Sequence, residues 1–203
     1  MRVEFMFNHS LDKVKPSLTI SGNHRGEVVD VNDPLKAGRI RVRVFGVYDD
    51  LEVDQIPWAI YADPFMGGGL NSGGFWIPDM GDHVWVFFEQ GNHMYPVFFA
   101  GAPAKPHMPP EKTSSEYPKN RIFKSKQGHV IEVDDSQGAS RIRIHHKSGS
   151  EIVMFENGDV NELVVGNHTR IVKGNAVEIV DGKKDIHVSG NLDIKGARID
   201  LNS

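Results

Sequence analysis

Ten histidines and no cysteine set the terms for any metal chemistry in this chain of 203 residues. Without thiolates there is no disulfide framework and no cysteine-based zinc site. His145 and His146 are adjacent, so on a strand they point to opposite faces and cannot chelate one ion within a chain. His83 and His93 flank the apolar run "VWVFF" and read as surface or turn residues. His187 stands alone in "DIHVSG"; it becomes a ligand only if three copies meet on an axis, and a solvated histidine is the commoner case. Nucleophilic chemistry fares no better. "GLNSG" misses the G-x-S-x-G elbow, and the glycine loop "MGGGLNSGG" lacks the Lys-Ser/Thr of a phosphate loop. The paired Asp134 and Asp135 fall at a glycine-bounded turn, where a solvated corner is the default. The reading is no enzyme, no metal and no cofactor.

The remaining candidate is a basic face. In "GRIRVRVFG" Ile40, Val42 and Val44 alternate with Arg39, Arg41 and Arg43, so a strand here puts its arginines on one side. Such a face on a small barrel suits single-stranded nucleic acid, but no stacking aromatics are interleaved with the arginines. The net charge of −4 and pI near 6.2 also argue against a polyanion partner. No nucleic acid is expected; the face is read as solvated or as contacting another subunit.

The elements that carry these residues are all strands and turns. "GEVVDVNDP", "GRIRVRVFG", "IPWAIYADP", "GDHVWVFFE" and "YPVFFAGAP" give about five short strands in residues 23–103, the last two forming a hairpin, which suits a barrel of the OB kind. Residues 104–120, rich in proline, serine and charge, read as a stiffened linker. Residues 1–22 are either an arm for a partner or a locally packed terminus. The start has no secretory leader pattern, and the longest apolar run, Val84 to Phe88, is too short to span a bilayer. Assembly in the cytoplasm is expected.

From Arg121 the runs alternate again, with Ile131 and Val133, Ile142 and Ile144, and Ile152 and Met154 between glycine-bearing breaks. Then an eight-residue period sets in. Val164, Val172, Val180 and Val188 each stand two residues before Gly166, Gly174, Gly182 and Gly190. Five or six extended residues make a strand and leave two or three for a corner, where glycine permits φ > 0 and the valine points inward. Four octads are barely more than one coil of a solenoid and cannot bury a core alone. Three chains wound on a common axis can. Residues 121–203 are therefore expected to form an intertwined, triple-stranded β-helix in a homotrimer.

The ordered set "DPLKAGRIRVRVFG", "IPWA", "GDHVWVFFEQGNHMYPVFFAG", "GHVIEVDD", "GASRIRIHHKSGS", "ENGDV" and the octads resembles the central spikes of contractile phage tails. It is similar, too, to the valine–glycine-repeat spikes of type VI secretion systems. The resemblance runs from about Gly26 to the end. It implies an OB-fold collar on a trimeric needle at the baseplate tip of the virion, driven through the host envelope when the sheath contracts. Some such spikes carry a lysozyme domain between barrel and needle; only the short linker stands there in this chain, implying no muralytic activity. Some family needles hold iron through a His-x-His pair, which this sequence lacks. About 25 residues precede the barrel, so a separate hub protein is expected at the OB end, which favours a phage or phage-derived tail. Gly196 breaks the octad spacing, and a small tip-capping protein is expected to dock on Ile194, Gly196, Ile199 and Leu201. The alternatives are a type VI or other contractile-injection spike, a nucleic-acid-binding OB protein, or a glycan-binding tailspike.

Overall fold

The computed structural model describes residues 19–64, 67–69, 72–103 and 117–200. Most of the arm, most of the linker and the docking residue Leu201 lie outside them.

Five strands close a barrel: β1 (His24–Asp30), β2 (Ile40–Val44), β3 (Trp58–Tyr61), β4 (His83–Phe88) and β5 (Pro96–Gly101). Their order around it is β1-β2-β3-β5-β4, with β4 returning to β1. All neighbours run antiparallel except β3 and β5, which pair in parallel through Ile60 with Val97 and Tyr61 with Phe98. This is the expected OB-type barrel. The alternation decides which side faces in: Ile40, Val42 and Val44 are buried, with Val28, Val84, Val86, Phe88 and Phe98 completing the core. Gly26 is required by close packing of β1 on β2. A Cβ there would lie 2.4 Å from Val42 Cγ1 and 2.8 Å from the Arg43 carbonyl.

A second sheet follows: β6 (Asn120–Lys124), β7 (Val130–Asp134), β8 (Arg141–His145), β9 (Glu151–Phe155) and β10 (Val160–Leu163). It is an antiparallel meander in chain order. Each reversal uses a glycine of positive φ, at Gly128, Gly138, Gly149 and Gly158, the conformation that a Cβ disfavours. Gly158 is thus a hairpin turn between β9 and β10.

Beyond β10 the chain is extended and exposed to residue 200, with no strand pairing. It bends at residues 165–166, 173–174, 181–182 and 189–190. The bends fall at the octad glycines, while no strand is formed between them within the single chain. The reason given for these glycines needs correction. None of Gly166, Gly174, Gly182 and Gly190 has positive φ, and a Cβ on any of them would meet nothing within 4 Å. No demand within the single chain explains glycine at these corners.

Candidate functional site

The arginine face of β2 is spent on the barrel's own loops. Arg39 closes on Asp33, with Nε 3.1 Å from Oδ1, and the same carboxylate accepts the backbone N–H of Leu35 and Ala37. The guanidinium, joined by these amides, holds the Asp33 carboxyl well below the ordinary carboxylate range. Arg41 lies over the Trp58 ring, 4.6 Å from its centroid, and donates to the Val53 carbonyl. Arg43 Nη1 donates to three carbonyls of the loop after β2: Tyr48 at 3.0 Å, Asp49 at 3.2 Å and Leu51 at 2.8 Å. Guanidinium groups with such partners brace turns.

Tyr48 shows the same economy from the core side. Its hydroxyl donates to the His93 carbonyl, and burial pushes its ionisation up. His93 thus contributes a backbone acceptor, while His83 meets Phe45 edge-on at 5.8 Å.

Barrel and meander are joined by Lys126, in the turn between β6 and β7. Its Nζ lies 3.1 Å from Asp82 Oδ1 and 3.3 Å from Asp79 Oδ2, and 3.4 Å from the Met80 carbonyl. A groove of about 990 Å³ beside this joint is lined by Tyr61, Phe98 and Phe99 of the barrel and by Ile122, Phe123 and Lys124 of β6. Sequence reading missed Lys126; one lysine in a turn carries no signal of a partner more than forty positions earlier.

The meander inverts the usual arrangement of a sheet. Its sheltered face buries charged groups alongside Val130 and Val153. Glu132, only 2% exposed, accepts from Asn120 Nδ2 at 2.7 Å and from Arg141 at 3.1 Å. Asp134 accepts from the Ser136 backbone and hydroxyl, which hold it below its ordinary range with help from Arg141. Glu151 is lowered in the same way by Arg143 and His145. The opposite face carries Phe123, Ile131, Val133, Ile142, Ile144, Ile152, Met154 and Val160. Register places them side by side: Phe123 with Ile131, Ile131 with Ile144, Val133 with Ile142, Ile142 with Met154, Ile144 with Ile152, and Met154 with Val160. All eight are exposed, from 38% to 61%. An apolar patch this continuous marks a contact surface. Asp134 is not a solvated turn residue as expected but the buried last residue of β7, and only Asp135 beyond it, paired with Arg121, is exposed.

The octad segment exposes apolar residues as well. Val164, Val172, Val180 and Val188 repeat beside the bends, each less exposed than neighbours such as Ile171, Ile179 and Ile186. Ile194 and Ile199 near the end are exposed, with Gly196 between them. His187 is exposed and isolated. His145 and His146 point to different partners: His145 bonds Glu151, whereas the His146 ring lies tilted, 4.5 Å from that of His129. Burial, then the neighbouring His146 and Lys147, push His129 below its ordinary value. Among the described residues no three His, Asp or Glu side chains converge as a metal site, and no helix is long and apolar enough to cross a membrane. Among the described residues the arrangement offers surfaces and braces.

Comparison with known proteins agrees with the barrel's topology. Residues 24–102 match the family described as the type VI secretion system/phage-baseplate injector OB domain. Protein Gp5 of Vibrio phage KVP40 is 30% identical over 81 residues, which is 40% of this chain and 17% of that relative's length. Residues 24–102 span the closed five-stranded barrel, and that stretch is similar to the injector OB domain of phage baseplates and type VI secretion systems.

Proposed function

We propose that three copies of this chain assemble into a mechanical spike at the tip of a contractile tail, barrel towards the tail and octad segment towards the target envelope. The observation that carries this reading is the continuous apolar face of the meander, prolonged by valines repeating at eight residues. Each of the eight face residues is about half exposed, so covering one contributes on the order of 1 kcal/mol, repeated in every copy. That sum competes with the entropy of bringing chains together. An antiparallel pair of copies would cover the face but leave the extended octads without pairing partners. Three octad strands wound about one axis supply every backbone partner and leave no lateral edge.

The octad glycines fit the same picture. Nothing within one chain needs them, but close approach of a neighbouring backbone at each corner does. The spike is non-enzymatic: residues 102–119, between barrel and meander, leave no room for an inserted catalytic domain. Mechanical work falls to the wound needle, whose unfolding requires three chains to separate. A separate hub protein is proposed at the barrel end, and a small capping protein on Ile194, Gly196, Ile199 and Leu201. The envelope is met in passing. A type VI or other contractile-injection spike uses the same parts, and the family description covers both.

Electron microscopy of tail particles carrying a gold-labelled C-terminal tag on this chain tests the placement. Label at the baseplate tip is the expected result. Label along the sheath, or none on intact particles that contain the protein, contradicts it.

A further inference from the structure

Resting on the three-fold reading above, we infer that neighbouring copies meet through the ends of their meander strands, the Lys147 turn of one copy facing the Glu156–Asp159 turn of the next. The direction of the axis follows from what lies at each edge of the sheet. At the β6 edge stands the barrel, bound through Lys126 to Asp79 and Asp82 and sharing a groove with Ile122, Phe123 and Lys124. The β10 edge continues directly into the octads. The order β6 to β10 is therefore laid out along the line from barrel to octads, and the strands cross that line. A copy rotated about an axis along it lies beyond the strand ends, and not beside β6 or β10.

The two strand ends carry opposite charge. One end holds the turns at 125–129 and 146–150, with Lys126, His129, His146 and Lys147 and no carboxylate. The other holds the turns at 135–140 and 156–159, with Asp135, Glu156 and Asp159; its cations, Lys119 and Arg121, stand at the β6 edge beside Asp135. Two of these groups are already engaged: Lys126 with the barrel, and Asp135 with Arg121 at the start of β6. The seam then falls to Lys147, Glu156 and Asp159. Lys147 Nζ donates to Gln127 Oε1 at 2.8 Å across the two turns. Asp159 is steadied by Asn157 Nδ2 at 2.7 Å. His146 accepts from the Ser148 backbone at 3.2 Å through Nδ1.

Three-fold rotation about that line brings unlike ends together, so each corner of the ring sets a cationic turn against an anionic one. Complementary charge at such a seam fixes register and hand more than it adds affinity. The apolar faces then close inward, and three corners complete the ring.

The absence of native cysteine makes the seam directly testable. In one chain the two turns are separated by the length of β9, roughly 15 Å, whereas a disulfide needs Cα atoms within about 7 Å. A Lys147→Cys/Glu156→Cys double variant can thus cross-link only between copies. After mild oxidation we expect a covalent trimer on a denaturing gel, reversed by reductant, from the double variant and from neither single one. A trimeric mass under reducing conditions without that cross-link overturns the seam and leaves three-fold assembly standing. A monomeric wild-type protein overturns both. Charge reversal supplies a second route should the double cysteine variant not fold. Lys147→Glu and Glu156→Lys should each shorten the trimer's lifetime in urea several-fold, and the combined reversal should restore it. Failure of the combined variant to recover contradicts the seam.

Discussion

Arg141 grips Glu132 with two bonds, Nη2 to Oε1 at 3.1 Å and Nε to Oε2 at 3.3 Å, on the sheltered face of a sheet whose other face exposes a continuous apolar patch. The pair states the protein's peculiarity in small. Charge is satisfied inside the chain, and apolar surface is left for something outside it.

Removing one partner should therefore be costly. Arg141→Met strands a carboxylate that is almost wholly enclosed, and the expected loss is about 3 kcal/mol of stability. Urea unfolding followed by circular dichroism checks this, since the meander supplies half of the strands. Replacing both partners, as Glu132→Gln with Arg141→Met, should recover part of the loss, because no bare charge remains.

On the opposite face the prediction concerns assembly. Ile144→Asp puts a carboxylate in the middle of the apolar patch, between Ile131 and Ile152. The expected result is loss of the oligomer with the barrel intact. Trp58 and Trp85 lie in barrel strands, whereas Trp76 lines the groove beside β6, so in a Trp76→Phe background tryptophan fluorescence reports on the barrel. An unchanged emission spectrum together with a fall in native mass is the predicted combination.

The corner glycines separate the two levels in another way. A Cβ at Gly182 meets nothing within its own chain, and its φ is ordinary. Gly182→Val should leave the barrel's melting temperature unchanged while weakening or abolishing the trimer, as seen in size-exclusion elution. A variant that assembles like wild type would show that no second backbone comes close at that corner.

The barrel was legible in the sequence because its signal is local. Ile40, Val42 and Val44 alternate with arginines, and the alternation alone decides which side is core. The roles of those arginines were not legible. Arg43 is held by three loop carbonyls and Arg41 by a tryptophan face and a carbonyl, and backbone acceptors leave no mark on residue pattern. The meander shows the converse limit. Its alternation was visible at Ile131, Val133, Ile142 and Ile144, but period two does not tell whether the apolar side meets the same chain or another. At the octads the bends came where expected, and the cause assigned to their glycines did not survive. Spacing reveals where a chain turns, whereas the reason for a missing Cβ depends on what lies next to it.

Acid should reach the barrel through Asp33. Its folded-state ionisation is held below the ordinary value of 3.8 by Arg39 and the loop amides. A depressed carboxyl contributes stability that is present above the unfolded value and is lost as pH falls towards the folded one. Thermal stability of the barrel should accordingly drop as pH falls below about 4. In Asp33→Asn the melting temperature should be lower at neutral pH and fall less steeply in acid. Melting curves read by tryptophan fluorescence at a series of pH values decide it.

The most direct test of the central claim is the native mass. Light scattering on a size-exclusion column, with an unheated denaturing gel beside it, should give three times 22.6 kDa and a detergent-resistant band. A monomer that melts readily would contradict the account, leaving the apolar face and the octads without the partner chains that explain them.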